Sequence, residues 1–397
     1  MEYYKQSLAL HKRLKGKIET GLKMDITTKE DLSLLYSPGV AQPCREIAKN
    51  PEDVYNYTLK GNTVAIVTDG SAILGLGNLG ALASIPVMEG KAMLFKKYGG
   101  INAFPICLDT NDTEEIIETV RRIAPVFGGI NLEDISAPRC FEIEERLQDL
   151  GIPVFHDDQH GTAIVVLAGL LNAIKVVGKN LADLKVVING AGSAGIAIAK
   201  MLKGIGLTTS DICTPVEDVI VCDTRGIIHS GRKDLSAVKL ALLDYTNNND
   251  RSGTTKDAIV GADVFIGVSA PGILQAADIK TMARDSIIFA CANPSPEITP
   301  EEAFEGGAAI VGTGRSDLPN QVNNVLAFPG IFRGALRARA TSITSAMKLA
   351  AAHAIADCIE YPTFDRIIPC TLDLTVADKV AEAVENAWVP VLVAEVV

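Results

Sequence analysis

Two acidic doublets stand where they could do chemistry: Glu133-Asp134 in GINLED and Asp157-Asp158 in VFHDDQH. Adjacent carboxylates repel unless something neutralises them. For an arbitrary acidic doublet a solvated surface is the commoner reading. Here each doublet closes an apolar run, so burial beside a divalent cation is the natural arrangement. Ligands that are all oxygen suit Mg²⁺ or Mn²⁺. His156 and His160 form an i, i+4 pair that would suit zinc, but no cysteine or third histidine has the spacing to complete such a site. They read as structural.

The second constellation is Gly190-Ala191-Gly192-Ser193-Ala194-Gly195, a GxGxxG run that follows the apolar segment KVVIN and opens a helical pattern. That is the context a dinucleotide-binding turn requires. Gly190 permits the tight turn and Gly192 lets the backbone approach a pyrophosphate. Ser193 and Ala194 open a helix whose free N–H groups face the phosphates, and Gly195 lets helix and strand pack closely. The alternative is a glycine-rich turn with no ligand. Asp223 ends the next apolar run, 28 residues after Gly195. The usual spacing is about 20, and the insertion Leu207–Glu217 accounts for the difference. An acid there accepts from the adenosine ribose. Arg225, and beyond it His229 or Arg232, could meet a 2′-phosphate instead.

These residues need elements to position them. Short β-rich runs alternate with helical patterns. Strands are expected at Thr63–Thr68, Asn102–Leu108, Gly129–Leu132, Pro153–Phe155, Lys185–Asn189, Val219–Cys222, Val264–Val268, Ser286–Ala290 and Ala308–Val311. Helices are expected at Glu114–Ile123, Phe141–Leu150, Thr162–Val176, Ala194–Lys203, Gly330–Asp357 and Thr375–Glu395, with Asn247–Gly253 a surface loop. The fold class is α/β: two doubly wound parallel-sheet domains, the second Rossmann-like, with helical N- and C-terminal segments. Residues 1–156 form the first domain, its first ~60 residues helical, and residues 157–397 form the second, whose C-terminal helices can pack back on the first. Asp69, Asp109, both doublets, Gly190, Asp223, Ser269 and Asn293 fall at strand ends, where open α/β sheets bind ligands. Asp69 and Asp109 read as turn formers and caps.

The chain has 397 residues and a net charge of −11, with 48 acidic against 37 basic side chains. A surface that negative disfavours nucleic acid and anionic membranes. Spanning a bilayer takes about 20 apolar residues. The best run, Thr162–Ile174, is shorter and closed by Lys175. The N-terminus lacks a signal-peptide core. The eight cysteines are scattered, with no CxxC pair. Free thiols in a reducing compartment fit that pattern, so a soluble cytoplasmic protein is expected.

LYSPGV (35–40), VTDGSAILGLGNLGALASIPVMEGK (67–91), NLEDI (131–135), FHDDQHGTA (155–163), NGAGSAG (189–195), FACANPSPEITPEEA (289–303) and NQVNNVLAFPGIFRGAL (320–336) together resemble the malic enzymes, of the short bacterial-type branch. The resemblance implies oxidative decarboxylation of L-malate to pyruvate and CO₂ with reduction of NAD or NADP. It implies Glu133, Asp134 and Asp158 as ligands of Mg²⁺ or Mn²⁺, Lys91 as general base, Tyr36 as general acid and Asp157 as the acid beside the lysine. Asn293 and Asn324 match substrate contacts, and Thr162, Ser269 and Asn293 lie among the cofactor contacts. The base role needs a lysine pKa lowered from about 10.4 by desolvation and a nearby cation. One departure stands out. Longer eukaryotic members have an arginine where this chain has Ala72, so the malate carboxylate falls to Asn324, Asn293, a helix N-terminus, or Arg315 or Arg333. The resemblance further implies a homodimer or larger homo-oligomer, in which Tyr36 and Lys91 could serve a partner's site. Within the family the alternatives are a malolactic-type enzyme or an oxaloacetate decarboxylase. Outside it, the alternative is a non-catalytic dinucleotide sensor.

Overall fold

A computed structural model describes residues 2–207 and 215–390. Three helices open the chain: α1 (Glu2–Leu14), α2 (Lys29–Leu35) and α3 (Ala41–Lys49). They contribute no buried side chain to a core, and most of their residues are exposed. A first sheet follows, built from β1 (Thr63–Thr68), β2 (Asn102–Cys107), β3 (Gly129–Leu132) and β4 (Val154–His156). All its pairings are parallel, in the order β2-β1-β3-β4. The intervening helices are α4 (Ala81–Leu94), α5 (Thr113–Ile123) and α6 (Arg139–Arg146).

Helix α7 (Asp157–Val177) leads to the second sheet. Its strands are β5 (Lys185–Asn189), β6 (Asp218–Asp223), β7 (Gly226–Ile227), β8 (Val264–Gly267), β9 (Ile287–Ala290) and β10 (Ile310–Thr313), in the order β10-β9-β8-β5-β6-β7. The chain order therefore reverses at β5, as in dinucleotide-binding sheets. Only β7 runs antiparallel, a short edge hairpin that the sequence pattern did not announce.

Apart from the half-buried edge strand β2, the parallel strands of both sheets are buried on both faces, which is why they read as continuous apolar runs. Val64 and Ile66 of β1, with Val186 and Ile188 of β5, face one shared core, while Ala65, Val67 and Val187 face two outer ones. The shared core holds α7, α8 (Ser193–Leu202), α9 (Phe328–Arg337), α10 (Ser345–Ala356) and α11 (Thr375–Ala387). α8 and α10 pack on α7, and α11 packs on both α9 and α10. α9 also reaches the first sheet: Phe328 and Phe332 meet Phe95 with ring centroids 4.7 and 5.4 Å apart, and Phe332 meets Phe155. α7 is long and apolar enough to cross a membrane, but it is the central helix of this core.

Four expectations are corrected. α7 begins at Asp157, not Thr162, so the HDDQH acids open a helix, where carboxylates complement the exposed N–H groups. The single helix expected over 330–357 is two, because Arg339 takes a left-handed conformation (φ 49°) and Thr344 recaps the chain by accepting from Met347 N. In the 247–253 loop, Asn247 is buried and its amide donates to the carbonyls of Ile228 and Arg251. The last helix ends at Ala387; residues 391–397, and most of the expected 207–217 insertion, lie outside the described residues.

Candidate active site

The first sheet changes winding direction between β1 and β3, and the acids collect beyond its carboxyl ends. Glu133 follows β3, its N–H bonded to Val67 O at 2.9 Å. Asp134 turns in a left-handed conformation (φ 53°), which aspartate tolerates better than most residues, and its carbonyl accepts from Ala72 N. Asp157 and Asp158 open α7. Lys91, in the last turn of α4, reaches all this from the side. Its Nζ lies 2.8 Å from Glu133 Oε1, bonds Asp157 Oδ2, and sits 4.1 Å from the centre of the Phe328 ring.

Surrounding bonds hold the group. Asn131 Nδ2 donates to Glu133 Oε2 (2.9 Å), Asp134 N to Asp158 Oδ2 (2.8 Å), and Asn324 Nδ2 to Asp157 Oδ2 (3.0 Å). Thr162 Oγ1 donates to Asn324 Oδ1. Burial acting alone would lower the Lys91 pKa, but Asp157 and Glu133 outweigh it and hold the lysine above its ordinary value. The expected depressed lysine is therefore absent in this charge state. Burial, with the other carboxylates, also pushes Glu133 up and takes Asp134 to about 8.

Asp134 Oδ2 and Asp157 Oδ1 are buried with no hydrogen-bond partner. Orphaned, crowded, oxygen-only acceptors suit a hard divalent cation. Among the described residues no three Asp, Glu, His or Cys side chains converge as a preformed cage. The reason lies in the bonds just given: Lys91 and Asn131 occupy Glu133, and a backbone N–H occupies Asp158.

At the second sheet, the GxGxxG turn sits at the β5/β8 reversal. A Cβ on Gly190 would lie 2.6 Å from Val268 O, and one on Gly195 1.8 Å from Gly190 O, whereas one on Gly192 would meet nothing within 4 Å. So Gly190 and Gly195 are required by packing, and the space at Gly192 and the N-terminus of α8, Ser193 and Ala194, is open to a ligand. Ser269 Oγ accepts from Asn189 Nδ2 at 2.6 Å. Asn293 is exposed on the next loop. Asp223 accepts from Arg225 N, from both guanidinium arms of Arg232 (2.8 and 3.0 Å) and from Lys239 (2.6 Å). Burial would raise its pKa; these donors hold it well below the carboxylate range.

Lys91, Glu133, Asp134, Asp157, Asp158, Thr162 and Asn324 are thus brought together. Tyr36 is not: it is 68% exposed at the end of α2, and no hydrogen bond joins it to the cluster. Arg315 pairs with Asp317 and Arg333 with Asp378, so neither stands free for a substrate carboxylate. His156 and His160 are structural in position: His156 is buried and His160 bonds Glu144.

Two buried acids escaped the sequence reading. Glu144 accepts from His156 N, Gln159 Nε2 and His160 Nε2, and so braces the first turn of α7. Its signal was readable: on α6 it shares the face of Cys140 and Leu147, both buried. Glu297 accepts from Ser269 N and Ala292 N, tying the loops after β8 and β9. No local pattern marks it.

The family model described as Malic enzyme, N-terminal domain matches residues 15–148, and that described as Malic enzyme, NAD binding domain matches residues 159–389. The chain is 55% identical over 391 residues to a Bacillus subtilis protein named bifunctional malic/malolactic enzyme, covering 98% of this chain and 93% of that one. It is 49% identical over 396 residues to a Halomonas elongata protein named NADP-dependent malic enzyme, covering 95% and 91%. The crystal structure of an NAD-dependent malic enzyme from Thermotoga maritima matches with a TM-score of 0.90 at 50% identity, covering 95% and 98% of the two chains. With both domain models matched in order, and relatives this similar along nearly its whole length, the chain belongs to the malic enzyme family.

Proposed function

We propose that the chain oxidises L-malate with NAD or NADP, releases CO₂ and yields pyruvate, with Lys91 as base and with Mg²⁺ or Mn²⁺ held by Glu133, Asp134 and Asp158. The observation that carries this reading is a buried lysine bonded to Asp157 and Glu133, beside orphaned carboxylate oxygens. Glu133, Asp134 and Asp158 would hold a divalent cation that would neutralise the acids and supply Lewis-acid polarisation of the substrate's C2 oxygen. A cation claiming Glu133 would weaken one of the two pulls on Lys91, and burial, which favours the free amine, would then weigh more. Lys91 then takes the C2 hydroxyl proton as hydride leaves for the nicotinamide. Asn324 orients Asp157 and is set to contact the substrate. Tyr36 returns a proton to C3 after CO₂ departs.

Tyr36 needs α2 brought over the cluster. The exposed apolar side chains of the first forty residues, among them Tyr3, Leu8, Leu22 and Leu34, support a homodimer or larger assembly that does so. The seven described cysteines are all free, which supports a soluble cytoplasmic protein. Around Asp223 all four carboxylate lone-pair positions are engaged. With Arg232 and Lys239 there, the arrangement supports acceptance of a 2′-phosphate, so steady-state rates with NADP and with NAD decide the preference.

Lys91→Ala should cost about 10²–10⁴-fold in malate turnover and leave cofactor affinity nearly intact. Asp158→Ala should abolish the response to Mn²⁺. Near-normal turnover in the first, or an unchanged Mn²⁺ titration in the second, refutes the assignment. A second reading is favoured by the similarity to the bifunctional malic/malolactic relative: lactate formed from malate without net NADH, visible as product without absorbance at 340 nm.

A further inference from the structure

Away from the Lys91 cluster, a half-open pocket of about 280 Å³ is lined by His160 of α7, by α8 and the 204–207 segment that follows it, and by α10, and by none of the residues proposed for the reaction. Its lining is mainly apolar, with Met201 and Leu349 in it, and also carries Lys200, Lys348, Ser345 and His160. Among the described residues neither lysine has an ion pair or hydrogen-bond partner, and no hydrogen bond reaches the Ser345 hydroxyl. The nearest acid is already committed: Glu144 is occupied by His156 N, Gln159 and His160. Lys348 is packed against the Phe155 ring, 6.0 Å from its centre; burial disfavours its charge, Glu144 partly offsets that, and Lys200 adds to the cost. Ser345 is the first residue of α10, a twelve-residue helix whose N-terminal N–H groups add positive potential.

Lys348 is half-buried, and the Glu144 charge that offsets it is engaged in three hydrogen bonds of its own, so an anion between Lys348 and the exposed Lys200 would recover free energy. The volume is near the small end of ligand cavities, which start at about 300 Å³. We propose that this cavity is a binding site for a small organic anion, its charged head between Lys200, Lys348 and Ser345 and its apolar body against Met201 and Leu349. The site is separate from the malate and dinucleotide sites, and it adjoins the catalytic acids only through the first turn of α7, where His160 follows Asp158 by two residues.

The test uses the enzyme loaded with cofactor, Mg²⁺ and saturating oxalate, a non-oxidisable dianion for the malate site, so that the anion-binding sites of the reaction are filled. Benzenesulfonate is titrated by calorimetry, with neutral benzyl alcohol as control. Saturable binding of benzenesulfonate alone is expected in the millimolar range or tighter, weakened at least tenfold by Lys348→Met and several-fold by Lys200→Ala. Tenfold corresponds to about 1.4 kcal/mol. Lys200 is exposed and outside every core, so its variant keeps the test alive if Lys348→Met fails to fold. Absence of saturable binding, equal binding of benzyl alcohol, or binding unchanged in both variants overturns the proposal.

Discussion

At the scale of single residues, charge state follows from the number and placement of partners. Lys91 and Glu144 are both buried ions, yet they do opposite things. Lys91 is held by two acids, and the proposed cation would claim one of them, Glu133, which loosens the hold on its proton. Glu144 accepts three hydrogen bonds that nothing in the reaction disturbs. Burial would raise the Glu144 pKa, but His160 and the neighbouring cations overcome it and hold the carboxyl at about 2. An unfolded glutamate titrates near 4.3. The folded value is the lower one, so this carboxylate stabilises the fold fully above about pH 4.3, and that stability is lost as pH falls toward 2. Glu144→Gln should therefore lower stability near neutral pH by on the order of 1–3 kcal/mol. The gap in thermal midpoint between wild type and variant should shrink as the pH is taken from about 5 to below 3. A gap that stays constant across that range would show that Glu144 is not ionised in its pocket.

At the scale of elements, legibility depended on how many faces a segment buries. β1, β3 and β5 begin and end where their sequences predict, because strands buried on both faces show as uninterrupted apolar runs. β7 lies on an edge, has two residues and carries no such run. The start of α7 was hidden for a different reason. Asp157, Asp158, Gln159 and His160 are polar, and their helical state comes from tertiary bonds to Lys91, Asn324 and Glu144. The GxGxxG turn was fully legible, since two of its glycines answer to backbone contact. That contact separates packing from binding. Gly195→Ala drives a Cβ into the Gly190 carbonyl, so it should destabilise the second domain by about 1–3 kcal/mol and weaken cofactor binding with it. Gly192→Ala meets open space; it should leave the thermal midpoint of the unliganded protein unchanged while weakening cofactor binding. If both glycine variants lose stability alike, the space at Gly192 is not a ligand's.

At the scale of the whole molecule, the proposed catalytic set divides between a packed body and an unpacked start. Lys91, the acids and the dinucleotide turn are anchored to the shared core. Tyr36 is carried by α2, which buries no side chain. The resemblance could name Tyr36 because LYSPGV is a local motif, but nothing local says which chain's lysine it serves. The first forty residues leave Tyr3 and Leu22 each 82% exposed, and exposed apolar side chains gathered in one segment mark an interface. In a closed twofold dimer the same patch meets itself, which can carry α2 of one chain across to the Lys91 cluster of the other. A mixing experiment distinguishes this from closure within one chain. Tyr36→Phe and Lys91→Ala enzymes, each nearly inactive, are unfolded together and refolded. If the tyrosine acts across the interface, half the dimers are mixed and each holds one site with both groups, restoring about a quarter of wild-type activity. If it acts within its own chain, no mixed dimer has an intact site and the mixture stays as inactive as its components.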